Sequence, residues 1–200
     1  ENINEPYSVF TEKSFNYSKL PDVNQNIYLD GYYQSEKYFK EFRQDIFDLF
    51  KADEGSKNLI NKKYSNIISG NTCSIHVRRN DYLRSQDSLV VLPIDYYKKS
   101  VEYMGDDLTY LIFSDDIKWC EENFNFIKNK IFITGNEDYI DLYLMSMCKN
   151  NITANSTFSW WAAWMNENKN KKVICPNLWF GPRLQHYITS DLYCENWIKL

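Results

Sequence analysis

The plainest alternation of hydrophobic and polar residues lies at positions 72–77, where apolar side chains at every second position are separated by Ser74 and His76. A period of two residues is typical of an extended strand. Successive side chains of a strand point to opposite faces, so the pattern places His76 and Arg78 on one face and Arg79 on the other. The segment therefore predicts a strand that ends in a charged loop.

Hydrophobic periodicity also predicts strands and helices in the rest of the chain, and after Gly70 the two alternate regularly. The predicted strands cover residues 26–30, 72–77, 110–113, 131–133, 151–154 and 172–175. The predicted helices cover residues 35–50 with Ser35 as the N-cap, 56–64, 93–104, 115–124, 138–149 and 157–166. Residues 1–26 show little periodicity and are predicted to be irregular. Repeated strand–helix units indicate an α/β fold with a Rossmann-like, doubly wound parallel sheet.

Composition and charge narrow the function. The chain has 200 residues, of which 44% are hydrophobic and 17% aromatic, enough for a substantial core. Its net charge of −4 provides no basic field for nucleic acid, and no apolar run approaches the ~20 residues that a membrane span needs. The five cysteines are odd in number and widely spaced, so we expect reduced, mostly buried thiols and a cytoplasmic protein. With only two histidines, a zinc site built on histidine is not expected.

Three loops carry most of the polar residues that could act on a ligand. They follow Val77, Phe113 and Ala154. Doubly wound sheets bind their ligands beyond the carboxyl ends of their strands, so these loops are expected to meet at one edge of the sheet.

The first loop contains two adjacent arginines. Arg78, beside His76, is expected to face a ligand, because a guanidinium fork grips phosphate or carboxylate with two parallel hydrogen bonds. Arg79 is expected to pair with Asp81 and to hold the loop. A surface cluster of ion pairs at the end of a strand explains the same residues equally well, so both interpretations stay open.

The loop after Ala154 carries Ser156, Thr157 and Ser159 at the start of an apolar helix. The N-terminus of a helix presents free N–H groups and the positive end of the helix dipole, which attract phosphate. An ordinary helix cap is the alternative. An arginine loop at the same edge of the sheet favours anion binding. At least two of the three tryptophans at positions 160, 161 and 164 are predicted to lie in the core, because aromatic residues at helical spacing usually pack there.

The third loop places Asp115 and Asp116 directly after a strand. A carboxylate there is suited to accept hydrogen bonds from the edge of a guanine. Both aspartates also suit the N-terminus of the helix that follows. A divalent-metal site beside a diphosphate is a third interpretation, although two adjacent acids are a weak metal signal.

These loops resemble the corresponding parts of the bacterial alpha-1,2-fucosyltransferase family, glycosyltransferase family 11. Three stretches carry the resemblance, residues 76–82, 113–120 and 155–164, and residues 31–39 also resemble members of the family. The match extends from residue 26 to residue 179. Each motif alone is moderately specific, and three in the same order at compatible spacing are strong evidence.

The resemblance implies a GT-B-like enzyme that transfers fucose from GDP-fucose, with inversion, to O2 of a galactose in a glycan acceptor. It implies no metal and no cofactor apart from the donor substrate GDP-fucose. The physics agrees with this chemistry, because the departing GDP gains negative charge. An arginine and helix N–H groups aimed at that charge stabilise it more in the transition state than in the ground state.

The resemblance also implies roles for individual residues. Arg78 would bind the β-phosphate and act as the catalytic cation. His76 and one of Asp115 or Asp116 would contact the guanosine end. The residues implied to line the diphosphate are Ser156, Thr157, Phe158 and Ser159. Arg79 and Asp81 would stabilise the loop without contacting the donor directly.

One departure from the family pattern concerns the start of the chain. Family members begin with a segment of the type Gly-Gly-Leu-Gly-Asn-Gln, and nothing in this sequence matches it. The chain is therefore expected to be truncated at its N-terminus. Residues 1–70 would be the remainder of an acceptor-side domain, and residues 71–200 would be the domain that binds GDP-fucose.

Two hypotheses compete with the fucosyltransferase. One is a non-catalytic nucleotide- or anion-binding module of the same fold, and the other is a metal-dependent sugar transferase that uses Asp115 and Asp116. For the enzyme, the expected partners are GDP-fucose and a galactose-containing glycan, and nucleic acid is not expected. A lipid-linked acceptor would hold this cytoplasmic protein at the inner face of the membrane.

Overall fold

The computed structural model describes residues 7–200, in which one six-stranded sheet carries helices on both faces and a second sheet has two strands. The strands are β1 (Tyr7–Thr11), β2 (Asn26–Asp30), β3 (Thr72–Val77), β4 (Thr109–Ser114), β5 (Lys130–Phe132), β6 (Asn150–Ile152), β7 (Val173–Cys175) and β8 (Ile198–Lys199). The helices are α1 (Arg43–Phe50), α2 (Glu54–Ile68), α3 (Asn80–Leu83), α4 (Ile94–Met104), α5 (Ile117–Asn123), α6 (Asp138–Ser146) and α7 (Thr157–Met165). Short 3₁₀ turns lie at Glu36–Tyr38, Lys40–Phe42 and Pro182–Leu184.

The order of strands in the large sheet is β5-β4-β3-β6-β7-β8, and every pair is parallel. The chain enters at β3, builds outward through β4 and β5, and returns to the other side of β3 with β6. The order therefore reverses between β3 and β6. In open α/β sheets, the crevice beyond the carboxyl ends of such a pair is the usual place for a ligand.

Apolar layers cover both faces of this sheet, which confirms the predicted doubly wound arrangement. On one face, alternate residues of β3 and β4 such as Ile75 and Ile112 pack with α4 and α5. On the other face, Leu111 and Phe113 pack with α2, α6 and α7. A third cluster surrounds Trp160 and Trp164 of α7, which are buried as predicted.

Each of the six predicted strands is present within two residues of its predicted ends. The predicted helix over residues 35–50 is wrong in its first half. Ser35 does cap a turn, since its side chain accepts a hydrogen bond from the N–H of Lys37. Phe39 then leaves helical geometry with φ −140° and ψ 8°, so two 3₁₀ turns precede α1. The predicted irregular stretch contains β1, which pairs in parallel with β2, and its first six residues lie outside the described part of the chain.

The segment before residue 70 packs directly on the large sheet. Ile60 and Tyr64 of α2 lie in the same buried cluster as Leu111 and Ile140. Asp53 caps α2 by accepting a hydrogen bond of 2.8 Å from the N–H of Ser56. None of the helices in residues 7–200 is long and apolar enough to cross a membrane.

Candidate functional site

A cleft of about 1010 Å³ opens at the carboxyl ends of β3 and β4. All three predicted loops reach it. Its lining residues from these loops are Arg78, Asp81, Tyr82, Ser114, Asp115, Ser156, Thr157 and Phe158, and His76 and Phe113 lie just before two of the loops. The prediction that the loops converge on one cleft is confirmed.

The loops are also bonded to one another. The hydroxyl of Tyr82, after β3, donates a 2.8 Å hydrogen bond to the carbonyl of Asn155, after β6. The carboxylate of Asp115, after β4, accepts hydrogen bonds from the backbone N–H groups of Arg79 at 2.9 Å and Asn80 at 3.1 Å. Three separate strand ends are thus fixed as one rim.

Arg78 presents its guanidinium to this cleft. Its Nε and Nη2 atoms donate to the two oxygens of Asp81 at 2.8 and 2.9 Å, a bidentate pair. Asp115 lies 3.5 Å from the same Nε. The hydrogen bond from Arg78 lowers the pKa of Asp81 below its usual range, so this carboxylate stays charged at neutral pH. Arg78 and Lys13 are the cations among the charged residues that line the cleft, so an anionic ligand is drawn to one of these two.

The expected pairing of Arg79 with Asp81 is wrong. Asp81 lies in the first turn of α3, three residues after Arg78, and that spacing directs it back to Arg78. Arg79 points to the other side, as the alternation predicted. Its guanidinium lies 3.8 Å from the ring centre of Trp119 and its Nε lies 3.3 Å from Asp116. Arg79 thus ties the loop to α5.

Of the two predicted acidic residues, only Asp115 lines the cleft. Its oxygens are engaged by the backbone of the arginine loop. Asp116 is the N-cap of α5, since its side chain accepts a hydrogen bond from the N–H of Trp119. The structure therefore places Asp116 in a helix cap, one of the alternatives the sequence left open, and gives Asp115 the task of holding the loop.

The N-terminus of α7 faces the cleft without a cap of its own. Ser156 is its N-cap residue, and the Ser156 side chain makes no capping hydrogen bond. The first N–H groups of a helix have no partner within the helix, so this turn offers donors to a ligand. Ser159, which was predicted to line the diphosphate, is instead 2% exposed, and its hydroxyl bonds the N–H of Ala154 and the carbonyl of Ser156. Ser159 therefore stabilises the turn between β6 and α7 from the buried side of that turn.

His76 is buried at the floor of the cleft. It is 4% exposed and its Nδ1 atom has no hydrogen-bond partner. The ring of Phe158 covers it at a centroid distance of 5.4 Å. Burial, helped by the charge of Arg78, lowers the pKa of His76 to about 3. His76 is therefore a neutral imidazole whose buried Nδ1 has no hydrogen-bond partner among residues 7–200.

Four further carboxylates of the cleft, Glu12, Asp30, Asp138 and Asp141, were missed by the sequence analysis. Asp138 and Asp141 lie on α6, and both line the cleft. Asp141 accepts a 2.7 Å hydrogen bond from the amide of Asn136, and burial raises its pKa above the usual range. Because α6 was interpreted only as an amphipathic helix, no signal separated these acids from an ordinary solvent-exposed face.

The segment before residue 70 supplies the rest of the wall. Residues 11–15, at the end of β1 and after it, line the cleft. Other lining residues lie at the end of β2 and near residue 180, and they are Asp30, Gly31, Tyr32, Gln34, Trp179, Phe180, Leu184 and Tyr187. Phe15 stacks on Tyr187 with ring centres 5.6 Å apart and meets Phe180 edge-on at 4.9 Å. The segment before residue 70 (the front segment) and the large sheet thus line the same cleft.

Within residues 7–200, no group of three or more His, Cys, Asp or Glu side chains is arranged to hold a metal ion. All five cysteines are free thiols, and four of them are buried.

Comparison with known proteins identifies relatives along the whole chain. The family model described as Glycosyl transferase family 11 matches residues 1–200. The O-antigen biosynthesis glycosyltransferase WbnK of Escherichia coli is 38% identical over 191 residues, which are 89% of this chain and 62% of that protein. An alpha-1,2-colitosyltransferase of Escherichia coli is 33% identical over 181 residues, which are 85% of this chain and 61% of that protein. The chain thus spans about three fifths of the length of these relatives.

More distant similarities extend to animal proteins and to a solved structure. The galactoside alpha-(1,2)-fucosyltransferase 2 of Bos taurus is 22% identical over 199 residues, 92% of this chain and 57% of that protein. A crystal structure of the alpha-1,6-fucosyltransferase NodZ soaked with GDP-fucose aligns with a TM-score of 0.43 and 13% identity, covering 65% of this chain and 59% of that chain.

Proposed function

The chain belongs to glycosyltransferase family 11, and from this premise we propose that its cleft binds a guanosine diphosphate sugar for transfer to a glycan. The specific reaction proposed is inverting, metal-independent transfer of fucose from GDP-fucose to O2 of a galactose. Relatives named as alpha-1,2-fucosyltransferases and as an alpha-1,2-colitosyltransferase support a deoxysugar donor and a 1,2 linkage.

One observation carries the proposal. The guanidinium of Arg78 and the uncapped N-terminus of α7 line the same cleft, at the point where the strand order reverses. A cationic fork and a row of free N–H groups are the two protein features that bind a diphosphate most strongly. Asp81 occupies the fork. A diphosphate carries more charge than one carboxylate, so it competes for the same guanidinium.

The guanine end of the nucleotide is proposed to lie over His76 and α6. Guanine presents two adjacent N–H donors, which a carboxylate binds in parallel. Asp115 was expected in this role, but backbone N–H groups already engage its oxygens. Asp141 also lines the cleft, and within residues 7–200 it accepts one hydrogen bond, from Asn136, so it is the better partner for the guanine edge. His76 lines the same cleft, and the proposal assigns its unpartnered Nδ1 to the guanine end as well.

The protein then contributes to the reaction by positioning the substrates and by stabilising the charge that develops on GDP. The acceptor hydroxyl attacks C1 of the fucose, the bond from C1 to the β-phosphate oxygen breaks, and its electron pair leaves with GDP. The hydroxyl proton is released. Arg78 and the N–H groups of α7 face the oxygen that gains charge, so they stabilise the transition state more than the bound donor.

The finer architecture is also a proposal. Residues 71–200 would be the donor domain of a GT-B-like enzyme, and the wall built by residues 11–15, 30–32 and 34 would be its acceptor side. That wall supports the division because it faces the same cleft from a different part of the chain.

Calorimetric titration with GDP, GDP-fucose, GDP-mannose and UDP-galactose tests the donor. We expect GDP and GDP-fucose to bind, GDP-mannose to bind more weakly than GDP-fucose, and UDP-galactose not to bind. Equal binding of UDP-galactose would overturn guanosine recognition. Transfer of fucose to a galactoside in the presence of a chelator tests the reaction. Binding without transfer would favour a non-catalytic nucleotide-binding module, and loss of transfer with the chelator would favour a metal-dependent enzyme.

A further inference from the structure

Five side chains in residues 7–200 carry a buried polar atom without a hydrogen-bond partner. Two of them, His76 and Gln34, line the cleft. The unpaired atom of Gln34 is the amide oxygen Oε1, which accepts hydrogen bonds and cannot donate them. Leaving such an atom buried and unpaired costs free energy, so its presence in a cleft needs an explanation.

The backbone next to Gln34 is also unfavourable. Tyr33 has φ 48°, and it is the one non-glycine residue with positive φ among the described residues. Left-handed backbone is disfavoured for an aromatic residue, and such outliers persist where the surrounding structure enforces them. Here the enforcing contacts come from Glu12, whose carboxylate accepts hydrogen bonds from the N–H groups of Tyr32 at 2.9 Å and Tyr33 at 3.1 Å.

Independent contacts fix both sides of Gln34. The hydroxyl of Tyr33 donates to the carbonyl of Phe10, and the Tyr33 ring meets Tyr38 edge-on at 5.1 Å. On the other side, the hydroxyl of Ser35 donates a 2.7 Å bond to the carbonyl of Asp191. Both neighbours are therefore anchored in the protein, while Gln34 lines the cleft and its Oε1 has no hydrogen-bond partner among residues 7–200.

We propose that Gln34 is a sugar-positioning residue, whose Oε1 accepts a hydrogen bond from a hydroxyl of the sugar that binds in the cleft. This inference rests on the proposed function. A phosphate oxygen has no proton to donate, so the amide oxygen does not suit the diphosphate, whereas every free sugar hydroxyl is a donor. A neutral acceptor orients a hydroxyl without adding charge to a cleft that already holds six carboxylates, which are Glu12, Asp30, Asp81, Asp115, Asp138 and Asp141.

Besides the ribose of the nucleotide, which binding of GDP alone tests, two sugars contain such hydroxyls, the fucose of the donor and the galactose of the acceptor. Hydrolysis of GDP-fucose in the absence of acceptor reports on the donor sugar alone. Transfer at varied acceptor concentration reports on the acceptor. A lower rate of hydrolysis would place the contact on fucose, and a raised acceptor KM with unchanged hydrolysis would place it on galactose. Either result supports the proposal.

The experiment compares Gln34→Met, which keeps the length of the side chain and removes the amide, with Gln34→Glu, which keeps an acceptor oxygen. Gln44→Met is the control, because the amide of Gln44 is exposed and bonds only Asp48 of the same helix. We expect Gln34→Met to lower kcat/KM about tenfold or more, because methionine cannot form the hydrogen bond to the substrate hydroxyl. Gln34→Glu should retain more activity than Gln34→Met. Gln44→Met should match the parent.

Two further measurements separate positioning from a structural role. The Kd for GDP should stay within about twofold in Gln34→Met, because GDP carries neither sugar. The melting temperature of ligand-free Gln34→Met should equal or exceed that of the parent, because the variant removes an unpaired buried acceptor. Parent-like transfer by Gln34→Met, or a joint loss of melting temperature, GDP affinity and transfer, would overturn this inference alone. A parent protein that binds no GDP sugar would overturn the proposed function and this inference with it.

Discussion

At the scale of single residues, Arg78 combines two properties that a phosphate-binding arginine needs. Its guanidinium is held in one orientation by Asp81, and its side chain remains 36% exposed to the cleft. An exposed ion pair contributes little to folding, so exchanging its carboxylate for a phosphate costs the protein little stability. The guanidinium is thus already in the orientation that the proposed role requires.

Replacing Arg78 by lysine removes the fork and keeps the charge. We predict that Arg78→Lys weakens GDP binding about tenfold or more and loses most fucosyl transfer, because an ammonium group cannot form two parallel bonds to a phosphate. Calorimetry and an initial-rate assay measure both effects. Arg84→Lys, an exposed arginine at the end of α3, is the control. Turnover of Arg78→Lys at the parent level would contradict the assigned role.

His76 provides a second prediction, about pH. Its pKa is about 3 in the folded protein and about 6.5 in an unfolded chain, so between these values the unfolded chain binds one proton that the folded protein does not. The free energy of unfolding must therefore fall as the pH falls from about 6.5 towards 3, by up to about 1.4 kcal/mol per pH unit from this group. His76→Gln should lose this contribution. Denaturant unfolding of parent and variant between about pH 5 and pH 7 measures the difference, and identical pH slopes would show that His76 is not buried as a neutral ring.

Some of these residues could be predicted from the sequence and others could not. The alternation along β3 correctly predicted that the side chains of Arg78 and Arg79 point to opposite sides, because side-chain direction in a strand is a local property. The partner of Asp81 depended on the turn of α3, and the engagement of Asp115 depended on a backbone that belongs to a different strand end. Asp141 and Gln34 reach the cleft only through the packing of their elements, so no local pattern distinguished them.

At the scale of elements, the arginine loop and the start of α5 behave as one unit. Asp115 holds the backbone of Arg79, and Asp116 caps α5 while it contacts the Arg79 side chain. The guanidinium of Arg79 lies over the ring of Trp119. These contacts explain why charged residues accumulate at the ends of β3 and β4 without all of them touching a ligand.

The third prediction concerns this unit. Arg79→Ala removes the contacts to Trp119 and Asp116, so we expect a loss of about 1–2 kcal/mol in the free energy of unfolding. The Kd for GDP should change little, because the Arg79 N–H that Asp115 binds is still present in the variant. Arg84→Ala should alter neither quantity. A normally melting Arg79→Ala protein that no longer binds GDP would show instead that this guanidinium contacts the donor.

Regular elements were predicted best where their pattern is local. Five of the six strands of the large sheet are short apolar runs that were predicted, the sixth predicted strand is β2 of the small sheet, and the two-residue strand β8 was missed. α1 begins eight residues later than predicted because Phe39 leaves helical geometry and stacks on Trp161 at 5.4 Å, a tertiary contact. β1 was missed because its partner β2 begins 15 residues after β1 ends, and a five-residue strand has no strong signal without that partner.

At the scale of the whole molecule, the front segment packs against the large sheet. Ile60 of α2 is fully buried against residues of β4 and α6. α2 therefore covers apolar surface of the large sheet, and the same front segment supplies residues 11–15, 30–32 and 34 to the cleft. Binding of a ligand in that cleft and packing of the front segment are thus physically linked.

The fourth prediction follows from this packing. Ile60→Ala should lower the free energy of unfolding by about 2–5 kcal/mol, because it leaves a cavity in a fully packed layer. Leu59→Ala, at the adjacent position and 48% exposed, should cost only about 0.5 kcal/mol. Denaturant unfolding measures both. Equal effects of the two substitutions would mean that α2 does not pack on the sheet as described.

The family itself was recognisable from three short motifs, and the family model confirms it along residues 1–200. The sequence pattern also predicted parallel strands with helices on both faces. It could not predict the order of the strands, because that order depends on which side of β3 the chain returns to after β5. Yet this order brings Ala154 and its neighbours next to Arg78, and so creates the cleft.

A crystal structure of the protein with GDP tests the central claim most directly. The account predicts that the diphosphate lies between Arg78 and the first N–H groups of α7, that the guanidinium of Arg78 has exchanged Asp81 for the β-phosphate, and that the guanine lies beside His76 and Asp141. GDP bound elsewhere on the protein, with the Arg78–Asp81 pair still intact, would contradict it.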